Sequence, residues 1–337
     1  MDKLFNSVAC YTDIHLGAKH NSREHNDDCE EFLIWFIEQA KQRNCETCVF
    51  LGDFHHQRSS INVSTLNYTM RALELLSEAF DNVYMITGNH DLFYREKRDV
   101  HSLVVGKQFN NIHLIDTPFV SGDVAIVPWL VEDEWKSVKK IKTKYMFGHF
   151  EIPGFRMNAQ ISMPDHGQIN KRHFTHQEYV FSGHFHCRQS EDNVHYIGNP
   201  FGHNYADAWD FNRGAMFLEW GGEPEYVDWE NGPRYITCTM SELMENIEDY
   251  LCDKINIRVT LDTDVSYEDS QFIRELIEDS YDVRELKFIH SYSDEEEHKF
   301  DGEIEFQTVD QIVIEQLSNI ESNTFDANML VKLYNGL

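Results

Sequence analysis

Five short motifs follow one another along the chain: Asp13-Ile14-His15, Gly52-Asp53, Gly88-Asn89-His90-Asp91, Gly148-His149 and Gly183-His184-Phe185-His186. Among them Asp13, His15, Asp53, Asn89, His149, His184 and His186 offer carboxylate, amide and imidazole donors. That is more side chains than one ion takes, and it suits two ions sharing a carboxylate. Asp53 stands alone in its motif and has two oxygens to share, so it is the expected bridge. Asp13, His15 and His186 are assigned to one ion, and Asn89, His149 and His184 to the other. A mixed nitrogen and oxygen set without thiolate points to Mn²⁺, with Mg²⁺, Fe²⁺ or Zn²⁺ as alternatives. Two such ions, about 3.5–4 Å apart, turn a bridging water into hydroxide and offset charge on phosphate oxygens. That is the chemistry of phosphate ester hydrolysis. The leaving oxygen then needs a proton, for which His90 is the candidate, with Asp91 expected to hold its imidazole. General acid help of this kind is worth about 10²–10⁴-fold. His56, beside Asp53, is the third catalytic candidate, and His55 is an alternative to it. The remaining histidines, His25, His101 and His203 among them, are read as surface groups.

Each motif follows a short apolar run. Ser7–Thr12, Cys48–Leu51, Val83–Thr87, Tyr145–Phe147 and Tyr179–Ser182 read as buried strands that deliver the polar residues at their ends. Residues 27–42 and 64–79 read as helices, the second with a Ser64 cap and an apolar face of Leu66, Met70, Leu73 and Leu76. In layered α/β folds, sites assemble where several strands end at one edge. One such motif alone arises by chance; five in order at strand ends form a pattern. Beyond about residue 235 the texture changes. Residues 254–261 alternate like a strand, 267–279 read as a helix with Phe272, Ile273, Leu276 and Ile277 on one side, and 284–291 return to a strand. Val309–Ile320 and Ala327–Leu337 read as short amphipathic helices.

The chain has 337 residues, more than one compact core usually holds, and an ordinary hydrophobic fraction of 41%. No apolar run approaches the ~20 residues of a membrane helix, and residues 1–10 do not read as a secretory signal. Seven scattered cysteines suggest a reducing cytosol; Cys45 and Cys48, lacking a second pair, read as a helix end running into a strand. The net charge of −29 argues against a protein that coats nucleic acid non-specifically, since such binding comes from Lys and Arg. It does not exclude a nuclease, because bound cations invert the local sign of a metal pocket.

The motif series resembles that of the calcineurin-like metallophosphoesterases over about the first 235 residues. Asp13-Ile14-His15-Leu16-Gly17, Asp53-Phe54-His55-His56, and Gly183-His184-Phe185-His186 followed by Tyr196-Ile197-Gly198-Asn199-Pro200 are similar to the SbcD-type recombination and repair nucleases, in the compact form encoded by tailed phages. The resemblance implies an α/β fold, a four-layer sandwich of two packed mixed sheets flanked by helices, with a small C-terminal α+β domain and terminal helices. The implied domains are a dimetal phosphoesterase (nuclease) domain over 1–237, a β-α-β DNA-capping domain over 238–303 and a helical ATPase-binding segment over 304–337. The implied activity is Mn²⁺-dependent DNA cleavage, as a 3′→5′ exonuclease on duplex ends and an endonuclease on single strands. The implied partners are DNA, an SMC-like (SbcC-type) ATPase and a second copy of the chain, joined through helices around 64–79 and 92–107. The expected location is cytoplasmic, in the host if phage-encoded. Residues 254–300 carry few basic groups among many acids, which favours dependence on the ATPase for holding DNA. The alternative is a small-molecule metallophosphoesterase, a cyclic nucleotide phosphodiesterase or nucleotide pyrophosphatase, against which the long C-terminal extension weighs. A non-catalytic scaffold is disfavoured by the complete ligand set.

Overall fold

A computed structural model describes residues 3–157, 161–263 and 266–290. In chain order the elements begin β1 (Ser7–Tyr11), α1 (Arg23–Gln42), β2 (Thr47–Phe50), α2 (Val63–Ala79), β3 (Asn82–Ile86) and β4 (Ile112–Ile115). There follow β5 (Phe119–Ser121), β6 (Val124–Val127), β7 (Tyr145–His149), β8 (Tyr179–Gly183), β9 (Gln189–Glu191) and β10 (Val194–Tyr196). The last are β11 (Gly214–Glu219), β12 (Glu225–Asp228), β13 (Arg234–Thr239), β14 (Ile255–Leu261), α3 (Tyr267–Ser280) and β15 (Glu285–His290).

Two six-stranded mixed sheets form, in the orders β12-β11-β1-β2-β3-β4 and β5-β6-β7-β8-β10-β9. Within them β1, β2 and β3 are parallel neighbours, as are β6, β7 and β8. The strands are apolar throughout because both faces are covered. On β1 and β2, Val8, Cys10 and Val49 face the second sheet, packing in one cluster with Ile126, Phe147 and Phe181. The alternate residues Tyr11, Cys48 and Phe50 pack instead with Phe32 and Phe36 of α1 and Leu73 and Leu76 of α2. A period of two thus feeds two cores from one strand. The outer face of the second sheet is covered mainly by loop residues such as Phe150, Phe155 and Phe174, so the fourth layer contains little helix.

Ser22 caps α1 through a bond from the His25 amide, and Asn44 ends it in a left-handed conformation (φ 54°). The cap of α2 is Asn62, whose side chain accepts from the Ser64 amide, rather than Ser64 itself. The buried face of α2 comprises Thr65, Tyr68, Thr69, Ala72, Leu73 and Leu76, while Leu66 and Met70 are only half-buried. The span 92–107 is not a helix: turns and bends lead into a 3-10 segment, Ser102–Gln108.

A third, three-stranded parallel sheet has the order β13-β14-β15, with α3 joining β14 to β15. The boundary expected at 237/238 falls inside β13. On α3, among the described side chains, Ile277 and the partly buried Ile273 reach the apolar core of this sheet; Phe272 (67% exposed) and Leu276 (53%) face outward. The sheet is tied to α1 by ion pairs of Lys254 with Asp28 and Glu31, and of Arg284 with Asp28 and Glu24. Residues 1–290 form one compact unit. The expected helices at 309–320 and 327–337 and the segment 304–337 lie outside the described residues.

Candidate metal centre

All five motifs sit at the C-terminal ends of β1, β2, β3, β7 and β8, where the two sheets share an edge. The backbone is strained there. Asp13 (φ 50°), His15 (φ 50°), Asp53 (φ 60°) and His184 (φ 93°) adopt positive φ without being glycine. Such conformations cost of order 1–3 kcal/mol each and persist where the surroundings fix them. The fixing bonds are visible. The Asp13 amide donates to the Gly52 carbonyl (2.9 Å), and those of His15 and Leu16 to Asp53 and Phe54 (3.1 and 2.8 Å). The loops after β1 and β2 therefore continue the pairing of their strands. Gly88 and Gly183 are small for the same reason. A Cβ on Gly88 would lie 2.2 Å from Asp53 Oδ1, and one on Gly183 would lie 2.0 Å from Thr12 Oγ1 and 2.6 Å from the Leu51 carbonyl.

Asp53 is central. Its Oδ1 accepts the His90 amide (2.7 Å), while its Oδ2 lies 3.8 Å from His15 Nε2 and 3.6 Å from His149 Nε2. On one side Asp13 Oδ1 lies 3.9 Å from His15 Nε2 and 4.0 Å from His186 Nε2, and the two imidazoles approach to 3.2 Å. On the other, Asn89 Oδ1 lies 2.9 Å from His184 Nδ1 and 3.3 Å from His149 Nε2. All seven side chains are thus brought together, in two groups flanking Asp53.

Their second contacts orient them. His149 Nδ1–H donates to the Leu51 carbonyl (2.6 Å), which directs the Nε2 lone pair inward. Asp13 Oδ2 accepts from Thr12 Oγ1 (2.7 Å) and the His184 amide (3.0 Å). Glu151 Oε1 lies 3.5 Å from His184 Nε2, and this imidazole holds the Glu151 carboxyl below its usual range. Trp129 packs on His149 and His184.

The residues present fit a pair of divalent cations. Asp13 and Asp53 are buried, and no lysine or arginine pairs with either among the described residues. Burial pushes Asp13 up to about 6, and burial with the Asp13 charge raises Asp53 further. Burial also lowers His15, His149 and His186, the last to about 4, so the imidazoles are neutral and ready to ligate. Asp13 Oδ1 and His15 Nδ1 are buried without a hydrogen-bond partner. Uncompensated carboxylates beside neutral imidazoles are stabilised by positive charge of a kind the chain itself does not supply.

The three catalytic candidates divide. His90 Nδ1 donates to the His56 carbonyl (2.8 Å), its ring stands 4.9 Å from that of His15, and burial lowers its pKa. Asp91 does not hold it. The Asp91 carboxylate is fully buried and accepts from the amides of Asp53, Phe54, His55 and Gly88 and from Ser102 Oγ. It ties the β2 and β3 loops together. The exposed His56 ring stacks on His90 at 5.4 Å, whereas His55 is buried between Ser102 and Thr69 and cannot meet a substrate. His25, His101 and His203 are buried rather than on the surface. His25 Nε2–H donates to the His15 carbonyl (2.9 Å), and His203 packs against His15 and His186. Neither these nor Glu151 has a motif of its own in the sequence. Glu151, two residues beyond His149, was the most accessible signal.

Residues 7–188 match the calcineurin-like phosphoesterase family, more than half of the 337 residues, and the chain belongs to that family. Among curated proteins it is similar to exonuclease subunit 1 of Enterobacteria phage T4, 27% identical over 198 residues that cover 56% of this chain and 58% of that protein. It therefore spans about three-fifths of that relative's length. Similar solved structures include the Pseudomonas putida nuclease MPE (21% identity, 56% of this chain and 66% of that one, TM-score 0.31). Another is a dimetal phosphatase from Danio rerio (12% identity, 65% and 93%, TM-score 0.38). No described helix is long and apolar enough to cross a membrane.

Proposed function

We propose that this chain is a Mn²⁺-dependent DNA nuclease, the catalytic subunit of an SbcCD-like recombination and repair complex. The observation that carries the reading is Asp53 Oδ2, placed between His15 and His149 with a complete nitrogen and oxygen donor set on each side. Its direction toward DNA comes from the similarity to a phage exonuclease subunit. Asp13, His15 and His186 would hold one ion and Asn89, His149 and His184 the other, with Asp53 shared. When bound, the ions supply an activated water and charge compensation for the phosphate.

The chain's own residues do the rest. Thr12 and the His184 amide hold Asp13, and the Leu51 carbonyl holds His149, so donors need no rearrangement. His90, aligned by the His56 carbonyl, stands beside the reacting phosphate and gives a proton to the leaving oxygen. Its own surroundings favour the neutral ring, so the phosphate anion brings the charge that keeps it protonated. The small parallel sheet is the proposed DNA-capping domain. Homodimerisation is proposed across a shallow groove of α2 and the 3-10 segment, lined by Leu66, Met70, Val104 and Val105. The ATPase is proposed to dock through residues 304–337.

The test is Mn²⁺-dependent degradation of a linear duplex, measured beside hydrolysis of a cyclic nucleotide. Loss of the duplex with no turnover of the nucleotide is expected. The reverse would assign the site to a small-molecule phosphoesterase.

A further inference from the structure

A second cleft, of about 300 Å³, adjoins the metal centre and has no part in holding metal. Arg156, Arg188, Trp209 and Arg213 line it, together with the Arg213 partners Asp207 and Asp210. It is joined rigidly to the centre, because Arg213 Nη1 donates to the carbonyl of His186 (3.1 Å) and Cys187 and Arg188 follow His186 directly.

The three arginines are not equivalent. Arg213 is consumed by the fold. It is buried, pairs with Asp207 (3.1 Å) and Asp210 (3.0 Å), and also donates to Asn199 and to the Asp210 carbonyl. Arg188 is half consumed: it pairs with Asp228 (2.6 Å) and donates to the Ile197 carbonyl, but its buried Nη2 finds no acceptor. Arg156 is exposed, and among the described residues its guanidinium donates to the Cys187 thiol (3.6 Å) and has no carboxylate in ion-pair reach. Beside these charges stands an aromatic platform. Trp209 keeps a positive φ of 64°, bonds Nε1–H to the Thr237 carbonyl (2.9 Å) and braces on Tyr250, yet the residue is 45% exposed. Phe211, also exposed, lies 6.1 Å away. A fixed, uncovered indole beside the uncommitted Arg156 guanidinium offers a base a stacking face and a backbone phosphate a charged contact. In a chain of net charge −29 such a local arrangement is what a polyanion requires.

We propose that this cleft receives a single-stranded nucleic acid segment continuous with the strand at the metal centre, with a base on Trp209 and a phosphate on Arg156. The proposal rests on the nuclease reading above, and its test separates the two.

The experiment is fluorescence anisotropy of labelled oligo(dT) and oligo(rU) with the full chain in EDTA, where no cleavage occurs, across a salt series. Mn²⁺-dependent cleavage of the same oligo(dT) and of a linear duplex by the parent is measured separately. Arg156→Ala is expected to weaken binding by about ten-fold and to lower the log–log salt slope by about 0.7, the value for one phosphate contact on a single strand. Trp209→Ala is expected to weaken binding by about ten-fold with the slope unchanged, and Trp209→Phe to retain binding within about three-fold, since a ring remains to stack. Equal loss in Trp209→Phe and Trp209→Ala would overturn the stacking role, and an unchanged salt slope in Arg156→Ala would overturn the phosphate contact. Parent binding that neither Arg156→Ala nor Trp209→Ala alters, or no binding by the parent, would overturn the cleft as a whole. A preference for oligo(dT) assigns it to DNA, and equal binding to single strands in general; both support it. Binding that follows these expectations in a parent that cleaves neither substrate leaves the cleft standing and refutes the nuclease reading alone.

Discussion

The chemistry of this chain is concentrated in side chains held buried and uncompensated. Asp13 shows the consequence. Its pKa of about 6 stands above the ordinary 3.8, so over that interval the folded chain keeps a proton that the unfolded chain has lost. Its contribution to stability is therefore full below the ordinary value and disappears as pH rises through about 6. A divalent cation needs the carboxylate and must displace that proton. Mn²⁺ affinity, measured by titration calorimetry in buffers of different ionisation heat, is expected to fall by at least about ten-fold per pH unit below the Asp13 pKa, since the Asp53 carboxyl is raised as well, with proton release on binding. Affinity flat between pH 5 and 7 would contradict this. His90→Ala is expected to keep Mn²⁺ binding and to slow cleavage by about 10²–10⁴-fold, read from single-turnover rates. The convergence of the seven side chains was legible because each stands at a strand end beside a turn. Asp91 was misread because adjacency in sequence suggested contact with His90. In this tight turn successive side chains diverge, and Asp91 faces the backbone amides behind the site. His25 and His203 were misread because an isolated histidine carries no periodic signal of burial.

At the level of elements, strand ends create the site and Asp91 holds two of them in register. One carboxylate serves four amides from two loops, and among the described residues no lysine or arginine pairs with it. Asp91→Ala is expected to destabilise the chain by about 3–5 kcal/mol, measured by urea denaturation, because the amides would be left buried and unpaired. A loss below about 1 kcal/mol would show that the loops hold themselves. The elements were largely legible: the five strands and α1 and α2 fall within a few residues of their expected places. Helix faces were less so. Leu66 and Met70 on α2, and Phe272 and Leu276 on α3, continue an apolar period beyond the buried stripe. Sequence periodicity records which residues are apolar, and only packing decides which of them are covered.

For the whole molecule, the acidic charge is the organising fact. Carboxylates converge on the metal centre, while two basic groups flanking the strands of the third sheet, Lys254 and Arg284, pair with Asp28 of α1. Lys287 and Arg274 are paired as well, with Glu285 and Glu278, and these pairings accord with the proposed dependence on partner subunits. The groove between α2 and the 3-10 segment is where a second copy is proposed to sit. Val104→Glu is expected to convert a dimer to a monomer by light scattering after size exclusion, since it places a charge in an apolar contact. A monomeric parent would remove that proposal. None of this was legible from composition, because net charge does not say which charges are already paired.

The central claim is that Asp53 is shared by two cations, and crystals grown with Mn²⁺ test it directly. Anomalous difference maps are expected to contain two peaks about 3.5–4 Å apart, one on each side of the Asp53 carboxylate, the first near His15 and His186 and the second near His149 and His184. A single peak, or two that leave Asp53 unshared, would contradict the account.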